Sequence, residues 1–336
     1  MSVPVVRVVR GREDASLRPV VVSRRPLFFT AGADEGLDRS AHVRAASGLA
    51  WATVKGTPAL VLAQDDTSHL ALVDPWPSVP EVRAIALDHE VSGRRVFEAR
   101  LGNKKHKLDL EACVPVTFDG AEHLLVVGSG SLPVRERFVL VDPEGHARIL
   151  PAPALYATLR DDTRFSGSEL NLEGAACMGA QLLLFQRGNG AARGEIPPVD
   201  AVARLSATAL LQHLLAGGPT PVLEAITRYV LGEIGGVRLT FTDATALDDR
   251  VAFLAGAEAS PDAIEDGVVA GVAFGVMSRY GDEVRWARLR EHDGPPYLGK
   301  AEGLAPRTPG VDDGRFWAVV DRDDPDAPAE LLELAT

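Results

Sequence analysis

The sequence predicts an all-β fold, a β-propeller with about five four-stranded blades and six blades as the alternative. Three observations lead to this prediction. A short motif recurs five times, an apolar β-prone run follows every copy, and further strand-like runs come next. A repeat of about 60 residues with several short strands per copy is typical of propeller blades.

The motif starts with a polar or acidic residue, continues with Gly or Ala, and ends in small or apolar residues. Its first residues lie 59 to 70 positions apart along the chain. The five copies are SGLAW (47–51), EACVP (111–115), EGAAC (173–177), DATAL (243–247) and EGLAP (302–306). We expect each copy to form the innermost strand of one blade.

The runs after each motif predict the second strands of the blades. They are PALVLAQDD (58–66), HLLVVGSGS (123–131), QLLLFQRGN (181–189), VAFLAGAEA (251–259) and FWAVVDRDD (316–324). Third strands are indicated by HLALVDP (69–75), RFVLVDPEG (137–145), GVAFGVM (271–277) and AELLELA (329–335). Fourth strands are visible in some copies, such as VRAIALD (82–88) and EVRWARL (283–289).

The last copy reaches the C-terminus after only three strands, whereas the N-terminal run VPVVRVV (3–9) has no repeat of its own. We therefore expect this run to complete the last blade, which closes the ring and covers two strand edges. The whole chain, 1–336, is then a single propeller domain.

Two segments depart from the repeat. The stretch 203–218 has leucines at helical spacing and ends in two glycines, which predicts an inserted helix. The polar stretch 10–46 is compatible with a loop or with part of a sixth blade.

Composition excludes several classes of function. The net charge of −12 argues against nucleic-acid binding, which needs a basic surface, and the densest basic run, RLGNKKHK (100–107), is interpreted as a loop. No signal peptide and no apolar run of membrane-spanning length is found, so we expect a cytoplasmic protein without a membrane partner. Cys113 and Cys177 are predicted as small buried core residues. The oligomeric state stays open.

The first residues of the motifs are candidate metal ligands. If each opens an innermost strand, then Ser47, Glu111, Glu173, Asp243 and Glu302 point together into the central channel. Converging carboxylates repel one another unless their pKa values rise or cations join them. A set of carboxylates without His or Cys suits Ca²⁺, which predicts Glu111, Glu173, Asp243 and Glu302 as its ligands. The alternative is that these acids bond to backbone in turns and serve packing.

A second ring is expected where the second strands return to the same mouth of the channel. It contains Gln64–Asp65–Asp66, Ser129–Gly130–Ser131, Arg187–Gly188–Asn189, Glu258 and Asp321–Arg322–Asp323. Guanidinium groups and backbone N–H groups in a Gly-rich turn bind anions well. Predicted substrate-binding residues are therefore Arg187, Arg322, Ser129 and Asn189, for a small anionic ligand.

The segments NLEGAACMGAQLLLFQRGN (171–189) and KAEGLAP (300–306) resemble the blades of bacterial propellers of the esterase-like phytase, SdiA-regulated and unknown-function groups. This resemblance implies a central, calcium-dependent site and phosphoester hydrolysis. Glu111, Glu173 and Glu302 match the acidic motif of these propellers, Asp243 is a shorter substitute, and Ser47 departs from it.

Three functions are compatible with the sequence. The first is a metal-dependent hydrolase of a small phosphoester or ester, with Glu111, Glu173 and Glu302 as catalytic candidates and one of them as general base. The second is a non-catalytic propeller that binds a small ligand or a protein. The third is a lactonase similar to the gluconolactonase propellers. Motifs of serine hydrolases, HExxH metalloproteases and dinucleotide-binding folds are not found.

Overall fold

The computed structural model describes residues 6–259 and 267–336, and five β-sheets in it form a β-propeller. The inner strand of each sheet packs against the inner strand of the next, and the fifth packs against the first. The predicted five-bladed propeller is thereby confirmed and the six-blade alternative is wrong. The stretch 10–46 contains two strands that join other blades and a short 3-10 helix, Glu35–Leu37.

The strands are numbered in chain order. Three strands precede the first blade: β1 (Arg7–Arg10), β2 (Arg12–Glu13) and β3 (Val20–Pro26). Blade 1 consists of β4 (Ala46–Val54), β5 (Thr57–Gln64), β6 (His69–Asp74) and β7 (Glu81–Ala86). Blade 2 consists of β8 (Leu110–Phe118), β9 (Ala121–Gly128), β10 (Arg137–Val141) and β11 (Ala147–Pro151).

Blade 3 consists of β12 (Leu172–Met178), β13 (Gln181–Gln186), β14 (Asp200–Ser206) and β15 (Ala225–Val230). Blade 4 consists of β16 (Glu233–Ile234), β17 (Val237–Ala246), β18 (Arg250–Glu258), β19 (Val269–Ser278) and β20 (Val284–Arg288). Its innermost full-length strand is β17, because β16 pairs only with the first two residues of β17. Blade 5 consists of β21 (Lys300–Thr308), β22 (Val311–Asp321) and β23 (Glu330–Ala335).

The core lies between neighbouring blades, where five apolar clusters fill the ring. Successive residues of a strand point to opposite faces of its sheet. In β4, Leu49 and Trp51 pack toward blade 5, whereas Ala50 and Ala52 pack toward blade 2. Because both faces of each sheet are buried, the strands appear in the sequence as continuous apolar runs.

The last blade is completed by β3, which pairs antiparallel with β23. Closure by an N-terminal strand is therefore correct, but the predicted segment, 3–9, is not the one that closes the ring. Within the described residues, that run contributes to β1, which pairs in parallel with β15 at the outer edge of blade 3. The reason is burial: Val21 of β3 lies in the core between blades 4 and 5.

The inserted helix α3 (Ala207–Ala216) connects β14 to β15. It is shorter than the predicted 203–218, because residues 203–206 continue strand β14. Ser206 caps its start by accepting from the backbone N–H of Ala209, and Gly217 ends it at a positive φ of 65°.

Two helices were not predicted, α1 (Pro153–Asp161) and α2 (Thr163–Ser166), and they link blades 2 and 3. Of the cysteines, Cys113 is buried and Cys177 is half-buried. None of the helices among the described residues is long and apolar enough to cross a bilayer.

Candidate functional site

Every inner strand has a β-bulge at the same level of the channel. In blades 2, 3 and 5 the bulged residue is the motif glutamate: Glu111, Glu173 and Glu302. Blade 1 carries Ser47 at this bulge. Bulges redirect a side chain without interrupting the sheet, and they are frequent beside functional sites. The three glutamates come close enough around the propeller axis for Glu173 to influence the ionisation of both others.

In blade 4 the structure changes which residue corresponds to the motif glutamates. Its bulge lies between Phe241 and Asp243, so Thr242 is the structural equivalent of the motif glutamates. Asp243 stands one residue later and is fully buried, and its carboxylate accepts a hydrogen bond from the backbone N–H of Leu304 at 2.7 Å. Burial raises the pKa of Asp243 well above its usual range. This predicted ligand therefore joins blade 4 to blade 5.

The small second residue of the motif allows the inner strands to approach closely. A Cβ atom on Gly48 would lie 2.6 Å from Cα of Ala112 in blade 2, and one on Gly303 would lie 2.8 Å from the carbonyl oxygen of Ser47. The motif therefore combines two tasks, since its first residue reaches the channel and its second holds adjacent blades together.

Residues that begin or precede inner strands and residues at or after the ends of second strands lie beside these glutamates. Together with the glutamates they form a group that we call the channel cluster. It contains seven carboxylates and four cationic groups, so carboxylates exceed cations by three. The carboxylates belong to Asp65, Asp109, Glu111, Glu173, Glu258, Glu302 and Asp321, and the cations to Lys107, Arg135, Arg187 and Lys300.

Asp109 is the best-neutralised carboxylate of the cluster. Lys107 lies 2.6 Å from it and Arg135 also 2.6 Å, and the Ser129 hydroxyl donates a hydrogen bond to it at 2.5 Å. Although burial opposes the shift, Lys107 and Arg135 lower the pKa of Asp109 to about 2. Asp109 also has a left-handed backbone, with φ of 55°, and such strain is concentrated at functional sites. The predicted substrate-binding Ser129 is thus fully buried as a partner of Asp109.

Arg187 forms the other centre of positive charge. Its guanidinium lies 2.5 Å from Glu258, 3.4 Å from Glu173 and 4.0 Å from Glu302. Despite the cost of burial, Glu173 and Glu258 raise the pKa of Arg187. With its side chain only 5% exposed, Arg187 neutralises the motif glutamates Glu173 and Glu302.

Asn189 is connected to Glu173 of the channel cluster through Asn171. The Asn171 side-chain amide donates to Glu173 at 2.6 Å and to the side-chain oxygen of Asn189 at 3.3 Å. Arg322 does not reach the cluster, because its side chain is about half exposed and pairs with Glu330 at 2.9 Å. Of the four predicted substrate-binding residues, the structure therefore brings Arg187, Ser129 and Asn189 together and leaves Arg322 outside.

Glu111 is buried but has no hydrogen bond or ion pair among the described residues, and it is only 9% exposed. One oxygen each from Asp65, Asp109 and Glu111 can lie within 4.8 Å of the others. Burial raises the pKa of Glu111 well above its usual range, and the charges of Asp109 and Glu173 raise it further. An unpaired buried carboxyl is costly unless it holds a proton or a cation.

A cavity of about 260 Å³ opens beside these residues at the channel mouth. Asp65, Lys107 and Asp321 of the cluster line it, together with residues before, within and after blade 1 and residues of the loop between β22 and β23 in blade 5. Burial raises the pKa of Asp321 to about 8, and Asp65 and Asp323 contribute to this shift.

Sequence reasoning missed Lys107, Asp109 and Lys300. All three lie at alternate positions before a motif glutamate, in KLDLE (107–111) and KAE (300–302). Strand alternation does not place them beside the glutamates, because Asp109 has a left-handed backbone and Glu111 and Glu302 lie at bulges. Their closeness to the motif in sequence is the only signal that could have identified them.

The comparison with protein families matches residues 42–335 to a family of unknown function. The chain belongs to DUF6929. This membership agrees with the unknown-function part of the resemblance described above, while similarity to the phytase and SdiA-regulated groups stays a prediction. The sequence has no match among curated proteins.

Solved structures with a similar fold include three enzymes. An α-L-arabinanase from Penicillium chrysogenum has a TM-score of 0.44 at 10% identity, over 92% of this chain and 85% of the other. A GDP-Man-dependent mannosyltransferase from Leishmania mexicana has a TM-score of 0.42 at 11% identity, over 94% of this chain and 91% of the other. An aldose sugar dehydrogenase from Streptomyces coelicolor has a TM-score of 0.38 at 11% identity, over 95% of this chain and 98% of the other. These values are too low to transfer an activity to this chain.

Proposed function

We propose that the channel mouth holds a Ca²⁺ ion between Asp65, Asp109 and Glu111, and that it binds and hydrolyses a small phosphoester or ester there. The observation that carries the proposal is Glu111, a buried carboxylate without a partner among the described residues, next to two further carboxylates. Three carboxylates at this separation fit a hard cation with oxygen ligands.

The charge of the cluster supports this assignment. Its carboxylates exceed its cations by three, and a divalent ion would offset two of these charges. Protonation of Glu111, Glu302 and Asp321, whose pKa values are all raised, is the other way to balance the charge. Cation binding and proton release should therefore be coupled.

The lining of the cavity suggests how an anionic ligand binds. Four cationic residues face six acidic ones, so an anion alone would be repelled. The cations are Arg44, Arg100, Lys104 and Lys107, and the acids are Asp65, Asp66, Glu98, Asp321, Asp323 and Asp324. A bound Ca²⁺ would supply the missing positive charge and polarise a phosphoryl or ester oxygen.

The protein groups have distinct roles in this proposal. Lys107, which lines the cavity, pairs with the anionic group of the ligand. Among the described residues, Glu302 has two ionic neighbours, Lys300 at 3.6 Å and Arg187 at 4.0 Å. Its pKa is raised well above the usual range, chiefly by burial. A carboxylate with a raised pKa is suited to accept a proton from an attacking water. Arg187 holds Glu173 and Glu302 in place.

A non-catalytic binding propeller is the second candidate, and the position of Lys107 favours it. The ammonium lies 2.5 Å from Asp65 and 2.6 Å from Asp109, where a metal ion bound to both would also lie. In this case Lys107 is the resident cation, and the cluster is an internal ion-pair network that shapes a ligand site.

Activity measurements with matched variants test the proposal. After treatment with EDTA, p-nitrophenyl phosphate and p-nitrophenyl acetate are assayed with and without added Ca²⁺. We expect Ca²⁺-dependent hydrolysis of one substrate, its loss in Glu111→Gln, and its retention in Asp119→Asn, a control in the exposed β8–β9 turn. Hydrolysis that is equally fast in EDTA would contradict a calcium-dependent reaction. Absence of hydrolysis in the presence of bound Ca²⁺ would favour the non-catalytic candidate.

A further inference from the structure

A second cavity, of about 460 Å³, lies at the outer edge of blade 3, lined by β1, β14, β15 and α2 and by Tyr280 in the β19–β20 turn of blade 4. Its lining includes Arg7, Arg164, Arg204, Thr227 and Tyr280, none of which belongs to the channel cluster. We propose that this cavity is a binding site for the phosphate group of a small phosphate monoester, held by the three arginines. The proposal does not depend on the function of the channel.

Strand pairing fixes the positions of two of these arginines. Arg7 of β1 lies opposite Thr227 of β15, and Arg204 of β14 lies opposite Ala225 of the same strand. Directly paired residues, and residues two apart along a strand, lie on one face of a sheet. Arg7 and Arg204 are therefore on the face of blade 3 that is turned toward blade 4.

Both guanidinium groups reach the same turn of blade 4, the β19–β20 connection. Arg204 donates a hydrogen bond from Nη2 to the carbonyl oxygen of Arg279 at 2.8 Å. Arg7 lies 3.7 Å from the carboxylate of Asp282, which is too long for a direct hydrogen bond. The two cations thus converge while most of their N–H groups have no acceptor among the described residues.

Arg164 comes from helix α2, which Arg228 attaches to the sheet. Arg228 donates from Nε to the carbonyl oxygen of Arg164 and from Nη2 to that of Thr163, both at 2.8 Å. Arg164 uses Nε and Nη2 to bind Asp162 in a bidentate pair. Its Nη1 group has no acceptor within the described part of the chain, so it can donate to a ligand in the cavity.

The local charge contrasts with that of the whole chain. The cavity lining contains three arginines and one acid, an excess of two positive charges in a protein with a net charge of −12. Two of these arginines have an acidic partner outside the lining, Asp162 for Arg164 and Asp282 for Arg7. The one acid in the lining, Glu224, accepts a hydrogen bond from Gln181 at 2.8 Å. Guanidinium groups match the geometry of phosphate oxygens and bind them through paired hydrogen bonds.

The remaining walls indicate the rest of the ligand. Leu223 and Ile226 contribute apolar surface, and Tyr280, a residue that is 71% exposed, lies at the rim. A phosphate attached to an aromatic or aliphatic body would use both parts of the cavity. Phenyl phosphate is the simplest probe with this composition.

Calorimetric titration with phenyl phosphate in EDTA tests the proposal. We expect saturable binding to the full chain, weakened about tenfold in Arg7→Gln and in Arg204→Gln, since each loses a charge-assisted contact. Arg83→Gln, at an exposed arginine of blade 1, and Glu111→Gln in the channel are controls that should bind as the wild type does. Benzyl alcohol, which lacks the phosphate, should not bind.

Three results would overturn the proposal. The first is absence of saturable binding to the wild type, and the second is unchanged affinity in both arginine variants. The third is an affinity that changes in Glu111→Gln, which would place the probe in the channel. The two arginine variants are independent, so a folding defect in one leaves the other as a test.

Discussion

Two buried carboxylates, Asp243 and Glu111, differ in their hydrogen-bond partners. The carboxylate of Asp243 accepts from the backbone N–H of Leu304 and so connects two blades. That of Glu111 has no such partner among the described residues. Similar burial therefore has opposite consequences, because one side chain contributes to stability and the other is available for a ligand.

This difference predicts different effects of substitution. Asp243→Ala should lower the free energy of unfolding by about 1–3 kcal/mol, because the buried N–H of Leu304 loses its acceptor. Asp243→Asn keeps an acceptor and should cost less. Glu111→Gln should leave stability unchanged or increase it in EDTA, since a repelled carboxyl is removed. Urea unfolding at neutral pH measures all three, and a larger loss in Glu111→Gln than in Asp243→Ala would refute this assignment.

His69 predicts how stability depends on pH. The side chain is 1% exposed, and burial lowers its pKa to about 4 from an ordinary value of 6.5. Below pH 6.5 the unfolded chain takes up a proton that the folded chain refuses, so stability falls until about pH 4. The contribution of His69 to this loss is about 3 kcal/mol.

Urea unfolding between pH 7.5 and 4 provides the measurement. The pH dependence of the free energy of unfolding should be shallower in His69→Gln than in the wild type. His292→Gln serves as the control, because that side chain is 76% exposed. Identical slopes in wild type and His69→Gln would show that His69 is not the titrating group.

At the scale of elements, the inner strands determine the geometry of the channel. Each combines a bulge with close packing against the next inner strand, which a glycine permits in blades 1, 3 and 5. The bulge turns a side chain toward the axis, and the glycine keeps the ring narrow enough for side chains of different blades to meet.

Gly48→Ala tests the packing of these strands. Its new Cβ would lie 2.6 Å from Cα of Ala112, so the two strands must separate, and we expect a loss of about 2–3 kcal/mol in stability. Gly36→Ala is the matched control, because its nearest contact would be a side-chain oxygen at 3.4 Å. Equal melting temperatures for the two variants would contradict close packing at the bulge.

The strands could be predicted from the sequence because burial on both faces produces apolar runs. The alignment of blade 4 failed because an acidic residue, Asp243, was matched with the glutamates although the bulge is at Thr242. Helix α1 had signals in Pro153 at its start and in the spacing of Leu155 and Leu159, but no prediction was made for this segment.

The channel cluster was predictable only in part. The motif glutamates Glu111, Glu173 and Glu302 stand out because the motif repeats. The predicted ends of the second strands indicated Asp65 and Arg187. Lys107 pairs with Asp65 across 42 positions of the sequence, and neither residue alone indicates the other. Such pairs depend on how two blades meet, which strand patterns do not specify.

At the scale of the whole molecule, β3 connects the start of the chain to its end. It pairs with β23 along six residues and covers the outer edge of blade 5. The strand β1 only extends the outer edge of blade 3. Removal of these two strands should therefore have very different effects.

Two truncations test this difference. Deletion of residues 1–26 removes β3, exposes the edge of β23, and should cause a large loss of thermal stability or aggregation. Of the described strands, deletion of residues 1–10 removes β1 alone, and it should leave a folded, monodisperse ring. Thermal unfolding with size-exclusion chromatography measures both, and equal behaviour of the two truncations would contradict closure by β3.

The central claim is that Asp65, Asp109 and Glu111 form a cation site, and calorimetric titration of Ca²⁺ tests it most directly. After removal of metals, the wild type and Asp119→Asn should bind one Ca²⁺ with release of protons, whereas Glu111→Gln should bind at least about tenfold more weakly. Lys107→Met should bind more tightly than the wild type, because its ammonium no longer competes for Asp65 and Asp109. Absence of Ca²⁺ binding in both the wild type and Lys107→Met, or equal affinity in the wild type and Glu111→Gln, would contradict the claim.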